Sequence, residues 1–473
     1  MEGNIPKAFI ASQGLDILEI KILFAHERWD PLRAGGRGAG AKSFLTRTDV
    51  SLPASDLRVL IVAEHASTKF GGEAILPFHY FRGLRRRGVE VWLVVHARTR
   101  DELIALLPGD ADRMHFIPDS WFHKLACRLS CLLPTRLSSI TFGFALRLTC
   151  QVSARRVVRR LIARHRVDVI HQPIPVSPKE PSLMYGLGVP VVIGPMNGGM
   201  DYPPGFAQMD GLVSSLSVTL GRKVSTVLNR LMPGKLQAVA LLVANERTRR
   251  ALPQGARGEV IKLVENGVDL SVYGPRESLR PHDGSTRFIF VGRLVDWKCV
   301  DLLLEAFRVV VSRTSATLEV LGDGPMRGSL EALAGALGVA GVVIFKGWLT
   351  QAECARRIRE ADVLVLPSIY ECGGAVVLEA MACGLPVVAT NWGGPADYLD
   401  GSCGILVDPV SREGFIEGLS EAMTRLAESL SLREAMGRAG RERVIREFDW
   451  DLKVDRMLEI YERVTMASRP PQA

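Results

Sequence analysis

Residues 363–399 read VLVLPSIYECGGAVVLEAMACGLPVVATNWGGPADYL. Four apolar residues, Val363 to Leu366, stop at Pro367 and predict a buried strand. Glu371-Cys372-Gly373-Gly374 then forms a glycine-interrupted loop. Ala375 to Cys383 predicts a helix, ended by Gly384 and Pro386, and Val387 to Ala389 the next strand. Strand, glycine loop, helix and strand make one βαβ unit with its loop at the carboxyl end of the first strand. Open parallel sheets bind ligands at that edge. The unpaired backbone N–H groups around Gly373, Gly374 and Ala375 suit an anion there.

Two carboxylates mark the unit. Glu371 lies in the loop and Glu379 on the helix. A carboxylate accepts paired hydrogen bonds from neighbouring sugar hydroxyls, so two can hold a ribose and a second sugar. The spacing alone also fits a solvated helix-start glutamate and an ordinary surface glutamate.

The stretch resembles a family. Glu371 and Glu379 match the E-x7-E motif of retaining glycosyltransferases of family 4, and PSIYE, EAMACGLPVVAT and Gly393-Gly394 extend the match. The resemblance implies the α/β GT-B fold: two Rossmann-like domains face a central cleft and the C-terminal helix crosses back to the first. It implies that Glu379 binds the nucleotide ribose and that Glu371 lies by the donor sugar. Cys372-Gly373-Gly374 stands where many members have Gly-Phe-Gly, a departure that bears on donor specificity.

At 473 residues the chain suits two domains, and 47% hydrophobic with 23% charged residues is a globular composition. The net charge of +8 includes Arg85-Arg86-Arg87 and fits anionic surfaces or ligands as well as a solvated face. The eight cysteines are scattered without a C-x2-C pair, as in a reducing compartment. No secretory signal and no apolar run of about 18 residues is read. A cytoplasmic protein is expected, with contact at the inner face of a membrane as one reading and no nucleic-acid partner.

Residues 1–56, with a basic glycine-rich run at 34–40, read as a disordered extension. The first domain is expected over 57–270, joined by a terminal helix at about 452–466, and the second over 271–451. Arg58 to Ala63 predicts the first strand, and Gly71 and Gly72 begin the helix after it. Paired glycines let a ligand approach the backbone, and a tight turn explains them equally; the resemblance places them in the cleft as donor-binding candidates. Asp110-Ala111-Asp112 reads as a turn rather than a metal pair, and no metal site is expected. The amphipathic, basic stretch 119–166 fits helices packed on the sheet or a membrane-surface contact.

Asp168 to His171 predicts a strand with His171 at its carboxyl end. The resemblance implies a place for His171 near the donor phosphates, although a second histidine is missing and a lone histidine also serves structural roles. Gly194 to Met200 and Glu265-Asn266-Gly267-Val268-Asp269 read as a cleft-facing loop and a hinge-like turn.

In the second domain, Phe288 to Val291 predicts a strand ending in Gly292-Arg293, with Lys298 five residues beyond Arg293. Gly292 permits close approach, and Arg293 and Lys298 can neutralise a diphosphate. The resemblance makes them the diphosphate clamp, with Cys299 in place of the usual glycine. It puts Gly347 and Trp348 beside the nucleotide base.

The implied activity is metal-independent retaining transfer of a hexose from a nucleoside diphosphate sugar, UDP- or GDP-linked, to the hydroxyl of a sugar or lipid-linked acceptor. Surface polysaccharide or glycolipid assembly is the setting by analogy, and no cofactor is implied. Glu371, His171, Arg293 and Lys298 carry the chemistry in this reading. A phosphorylase or epimerase of the same fold and a catalytically inactive sugar-nucleotide-binding module are the alternatives. A dinucleotide oxidoreductase is disfavoured, because no G-x-G-x-x-G opens a βαβ unit.

Overall fold

Among the described residues, thirteen short runs form parallel strands, most of them apolar and buried along their length. Strands covered on both faces need continuous apolar sequence rather than alternation. The computed structural model describes residues 56–69, 72–120, 135–209, 224–276 and 284–468, with only the helical backbone over 135–145. The expected N-terminal extension, Gly71, and residues 121–134 of the amphipathic stretch lie outside the described residues. Residues 277–283, near the start of the expected second domain, do as well.

The chain divides into two compact units, one from 1–65 and 84–168, the other from 66–83 and 169–473. In the first, β1 (Arg58–Val62), β2 (Glu90–His96) and β3 (Met114–Ile117) run in the order β3-β2-β1. The partly exposed Met-His-Phe-Ile run of β3 has neither strict alternation nor a continuous apolar pattern and was not anticipated from sequence. The long helix Thr135–His165 belongs to this unit. Asp110 lies in the short helical turn Pro108–Arg113, as the turn reading expected, and its Oδ1 accepts from Arg85 Nε at 2.7 Å. No helix among the described residues is long and apolar enough to cross a membrane.

The second unit holds β4 (Val169–Gln172), β5 (Val191–Met196), β6 (Ala240–Val243) and β7 (Glu259–Lys262), in that order. It also holds a second, six-stranded sheet. Its strands are β8 (Thr286–Val291), β9 (Ala316–Leu321), β10 (Val343–Gly347), β11 (Val363–Leu366), β12 (Val387–Thr390) and β13 (Gly404–Val407). They are ordered β10-β9-β8-β11-β12-β13. The chain moves outward one way from β8 and the other way from β11, so the β8/β11 junction is the topological switch point of a Rossmann-like sheet. Both sheets are parallel and Rossmann-like.

The second sheet is packed by helices whose apolar positions recur at helical spacing. Val300–Arg313 buries Leu303, Leu304, Phe307 and Val310. The C-terminal helix Trp450–Ser468 returns to the β4 region, where Trp450 stacks on His79 at 4.5 Å between ring centroids and Tyr461 reaches His171.

Candidate functional site at the switch point

The loops after β8 and β11 leave neighbouring strands, because Val363 pairs with Phe288 and Leu364 with Ile289. The backbone joins them again where Ile369 N–H donates to Trp297 O at 3.0 Å. Lys298, on the first loop, donates from Nζ to Oε2 of Glu371, on the second. Their side chains are 15% and 17% exposed, so the pair is largely but not wholly removed from water. Arg293 lies at the carboxyl end of β8 on the loop that carries Lys298.

The glycines here answer to geometry. A Cβ on Gly324 would lie 2.3 Å from Leu294 O, and one on Gly322 1.9 Å from Gly292 O. The β8 and β9 loops therefore pack backbone on backbone, and Gly322 N–H donates to Gly347 O at 2.8 Å. That contact brings the Gly347-Trp348 segment to the same edge, with Trp348 41% exposed. Cys299 occupies the left-handed region at φ 49°. A side chain there carries a strain of about 1–2 kcal/mol that glycine would not, which explains why this position suits glycine.

Gly374 begins the helix Ala375–Ala382 in the left-handed conformation, φ 83°, and supplies no side-chain cap. The start of this helix lies at the carboxyl end of β11, and uncapped first-turn N–H groups suit an anion. Glu379, one turn in, is half-buried, and the partial burial raises its carboxyl pKa to about 7, against a hydrogen bond from Tyr273. Burial and the Glu379 carboxyl in turn push the Tyr273 phenol up.

The structure therefore brings Gly292, Arg293, Lys298, Gly347, Trp348, Glu371, Gly373, Gly374, Ala375 and Glu379 to one carboxyl edge of the second sheet. Gly72 starts a short helical turn at φ 53° with open space where a Cβ would stand.

His171 has a different surrounding from the catalytic one that the resemblance implied. It is fully buried, with Nε2 2.6 Å from Gly194 O and Nδ1 2.6 Å from Tyr461 Oη. A carbonyl only accepts, so Nε2 carries the proton and Nδ1 accepts from the tyrosine. Burial lowers its pKa to about 4. Both ring nitrogens are committed within the protein, and the histidine anchors the C-terminal helix to β4.

Sequence reading missed a polar network beside Glu371. Asn197 Nδ2 donates to Glu265 Oε1 at 2.8 Å and to Cys372 O at 2.7 Å. Asn266 Nδ2 and Tyr398 Oη reach the same Glu265 oxygen at 3.0 and 3.4 Å. Burial raises the Glu265 pKa, and burial lowers that of Lys453 to about 8, each opposed by the charge of the other. Lys453 Nζ donates to Val264 O. The Gly-rich loop at Asn197 and the Glu265-Asn266-Gly267 turn were visible as loops, but nothing local pairs them across 68 residues.

The switch-point edge thus carries Arg293, Lys298, a helix start and two carboxylates. Residues 275–443 match the model described as glycosyl transferases group 1. The match covers the six strands of the second sheet. A D-inositol 3-phosphate glycosyltransferase from Thermomonospora curvata is 36% identical over 246 residues, 46% of this chain and 56% of the relative. A lipopolysaccharide core biosynthesis glycosyltransferase from Rhizobium meliloti is 35% identical over 181 residues, 38% of this chain and 49% of the relative. The chain thus spans about half the length of these curated relatives.

The fold extends further than the sequence similarity. Sucrose-phosphate synthase from Thermosynechococcus elongatus superposes with a TM-score of 0.59 at 18% identity, covering 87% of this chain and 100% of that one. HepE from Anabaena, in complex with UDP and glucose, superposes with a TM-score of 0.56 at 18% identity, covering 86% and 99%. These structures share the architecture of two Rossmann-like sheets.

Proposed function

We propose that the protein is a retaining glycosyltransferase that moves a sugar from a nucleoside diphosphate sugar to an acceptor hydroxyl. The observation that carries this reading is the Lys298–Glu371 pair at the β8/β11 switch point, beside Arg293 and the uncapped start of Ala375–Ala382. Cations and helix N–H groups stabilise a departing diphosphate, and carboxylates hold sugar hydroxyls. The family resemblance supports the retaining outcome. The UDP bound by HepE makes UDP-linked sugars the first donors to test.

In this mechanism the bond from the anomeric carbon to the phosphate oxygen breaks against Arg293 and Lys298. The acceptor oxygen forms its bond on the same face, and its proton passes to the departing phosphate oxygen. Glu379 holds the ribose, and Glu371 orients the transferred sugar. Arg293 and Lys298 supply the positive charge for the leaving group, so the reaction runs without a metal. A sugar or lipid-linked acceptor in polysaccharide or glycolipid assembly at the inner face of a membrane completes the proposal.

The test offers UDP-, GDP- and ADP-sugars with a mixed acceptor pool and measures nucleoside diphosphate release with and without EDTA. One donor class should turn over equally in both. Arg293→Ala and Lys298→Ala should each lower the rate by about 10²–10³-fold, with the product anomer read by NMR. Unimpaired turnover in the double variant would overturn the clamp, and an inverted anomer would overturn the retaining assignment.

A further inference from the structure

Three aromatic side chains gather around the main chain of Glu371. Tyr370 precedes it, is 37% exposed, and packs on Tyr202 with 4.9 Å between ring centroids at 35°. Its hydroxyl reaches Met200 O at 3.4 Å. Trp392 donates from Nε1 to Asp201 O at 2.9 Å. The glycines after Trp392 are fitted to the same place. Gly394 N–H donates to Glu371 O at 2.8 Å. A Cβ on Gly393 would stand 2.2 Å from that oxygen and 2.7 Å from Met200 Cε.

The Met200–Tyr202 segment and both flanks of Glu371 therefore make one surface. The Glu371 carboxylate is turned to Lys298, while its carbonyl belongs to this aromatic side. A pyranose presents a face of C–H groups and a rim of hydroxyls. The C–H face packs on an electron-rich ring, and the hydroxyls suit carbonyl oxygens, of which Met200 O can accept a second bond. A shelf adjoining the residue that orients the donor sugar, and built partly from the β5 loop, is placed for the sugar that receives the transfer.

We infer that Tyr202, Tyr370 and Trp392 form a stacking shelf for a saccharide ring of the acceptor. The inference rests on the glycosyltransferase reading of the Glu371 site and names the acceptor's chemistry as a sugar rather than a bare lipid or polyol chain.

Saturation-transfer NMR on the full chain tests it. The probes are methyl α-D-glucopyranoside, methyl α-D-mannopyranoside and methyl β-D-galactopyranoside, each with UDP present. At least one glycoside should show transfer, strongest at its ring C–H protons. Tyr370→Ala and Tyr202→Ala should reduce it about 3- to 10-fold, Tyr370→Phe should preserve it, and the UDP signal should persist throughout.

If Tyr370→Ala loses both glycoside and UDP signals through misfolding, Tyr370→Leu decides the matter: it keeps apolar volume without a π face. Glycoside signal retained in Tyr370→Leu, or absent for all three glycosides with wild type, overturns the shelf. Displacement of the glycoside by UDP-glucose, but not by UDP, assigns the rings to the donor sugar and overturns the acceptor role. Wild type that binds glycosides through these rings but never binds UDP leaves the shelf standing and removes the donor reading instead.

Discussion

Lys298 and Glu371, 73 residues apart, neutralise each other at the switch point. The ammonium proposed to meet the donor diphosphate is already paired with a carboxylate, so the phosphates compete with Glu371 for its charge. That competition would release Glu371 toward the sugar only once a diphosphate has arrived. Glu371→Gln should therefore tighten UDP by about 10-fold in titration calorimetry, because the ammonium loses its competitor. The same variant should lower turnover by about 100-fold or more, because sugar orientation is lost. Weaker UDP binding by Glu371→Gln would show that the two groups do not compete.

Glu379 carries a pH signature. Its pKa is raised to about 7, so below that value the ligand-free carboxyl holds a proton. Ribose hydroxyls donate to the anion and favour it, so donor binding expels the proton. UDP-glucose is the suitable probe, since its diphosphate does not titrate in this range. Calorimetry in buffers of different ionisation enthalpy should show proton release near pH 6.5 and none near pH 9. Uptake, or no exchange at pH 6.5, would contradict the ribose role.

The same group has an opposite effect on stability. A carboxyl with a raised folded-state pKa stabilises the fold below its unfolded value of 4.5, and that contribution is lost as pH rises through about 7. The loss is at most roughly 3 kcal/mol. Glu379→Gln should flatten the fall in unfolding free energy between pH 5 and 8, measured by urea denaturation.

His171 and Tyr461 predict a structural phenotype. Tyr461→Phe leaves the buried Nδ1 of His171 without its donor, at a cost of about 1–3 kcal/mol. Chemical denaturation should show that loss, while turnover of the folded enzyme stays within about twofold of wild type. A large fall in kcat at unchanged stability would return His171 to the chemistry.

Glu265 and Lys453 are a buried pair of opposite charge, with the acid pushed up and the base down by burial. Lys453→Met should cost about 3–5 kcal/mol by stranding the carboxyl. Adding Glu265→Gln should recover part of this, because the amide is uncharged and keeps an oxygen to accept from Asn197. Equal destabilisation in single and double variants would mean that the charges are not coupled.

The alternation of strands and helices was legible in the chain, and the boundaries of β11 were read residue for residue. So was the loop after β11: Gly373-Gly374 and the two glutamates declare themselves within nine residues, because loop closure and helix spacing are set by near neighbours. The strain at Cys299 was visible as a departure from glycine, although only the backbone showed its φ of 49°.

Tertiary structure alone decided which distant partners those groups would meet. Asn197 reaches a carbonyl 175 residues away, and His171 gives one nitrogen to a tyrosine 290 residues away. A histidine at a strand's carboxyl end reads the same in sequence whether it faces a ligand or a helix. Its role depends on what packs against it and on whether both nitrogens find partners there. Periodicity along the chain encodes which face is apolar; the identity of a polar group's partner is settled only when burial removes water as the alternative.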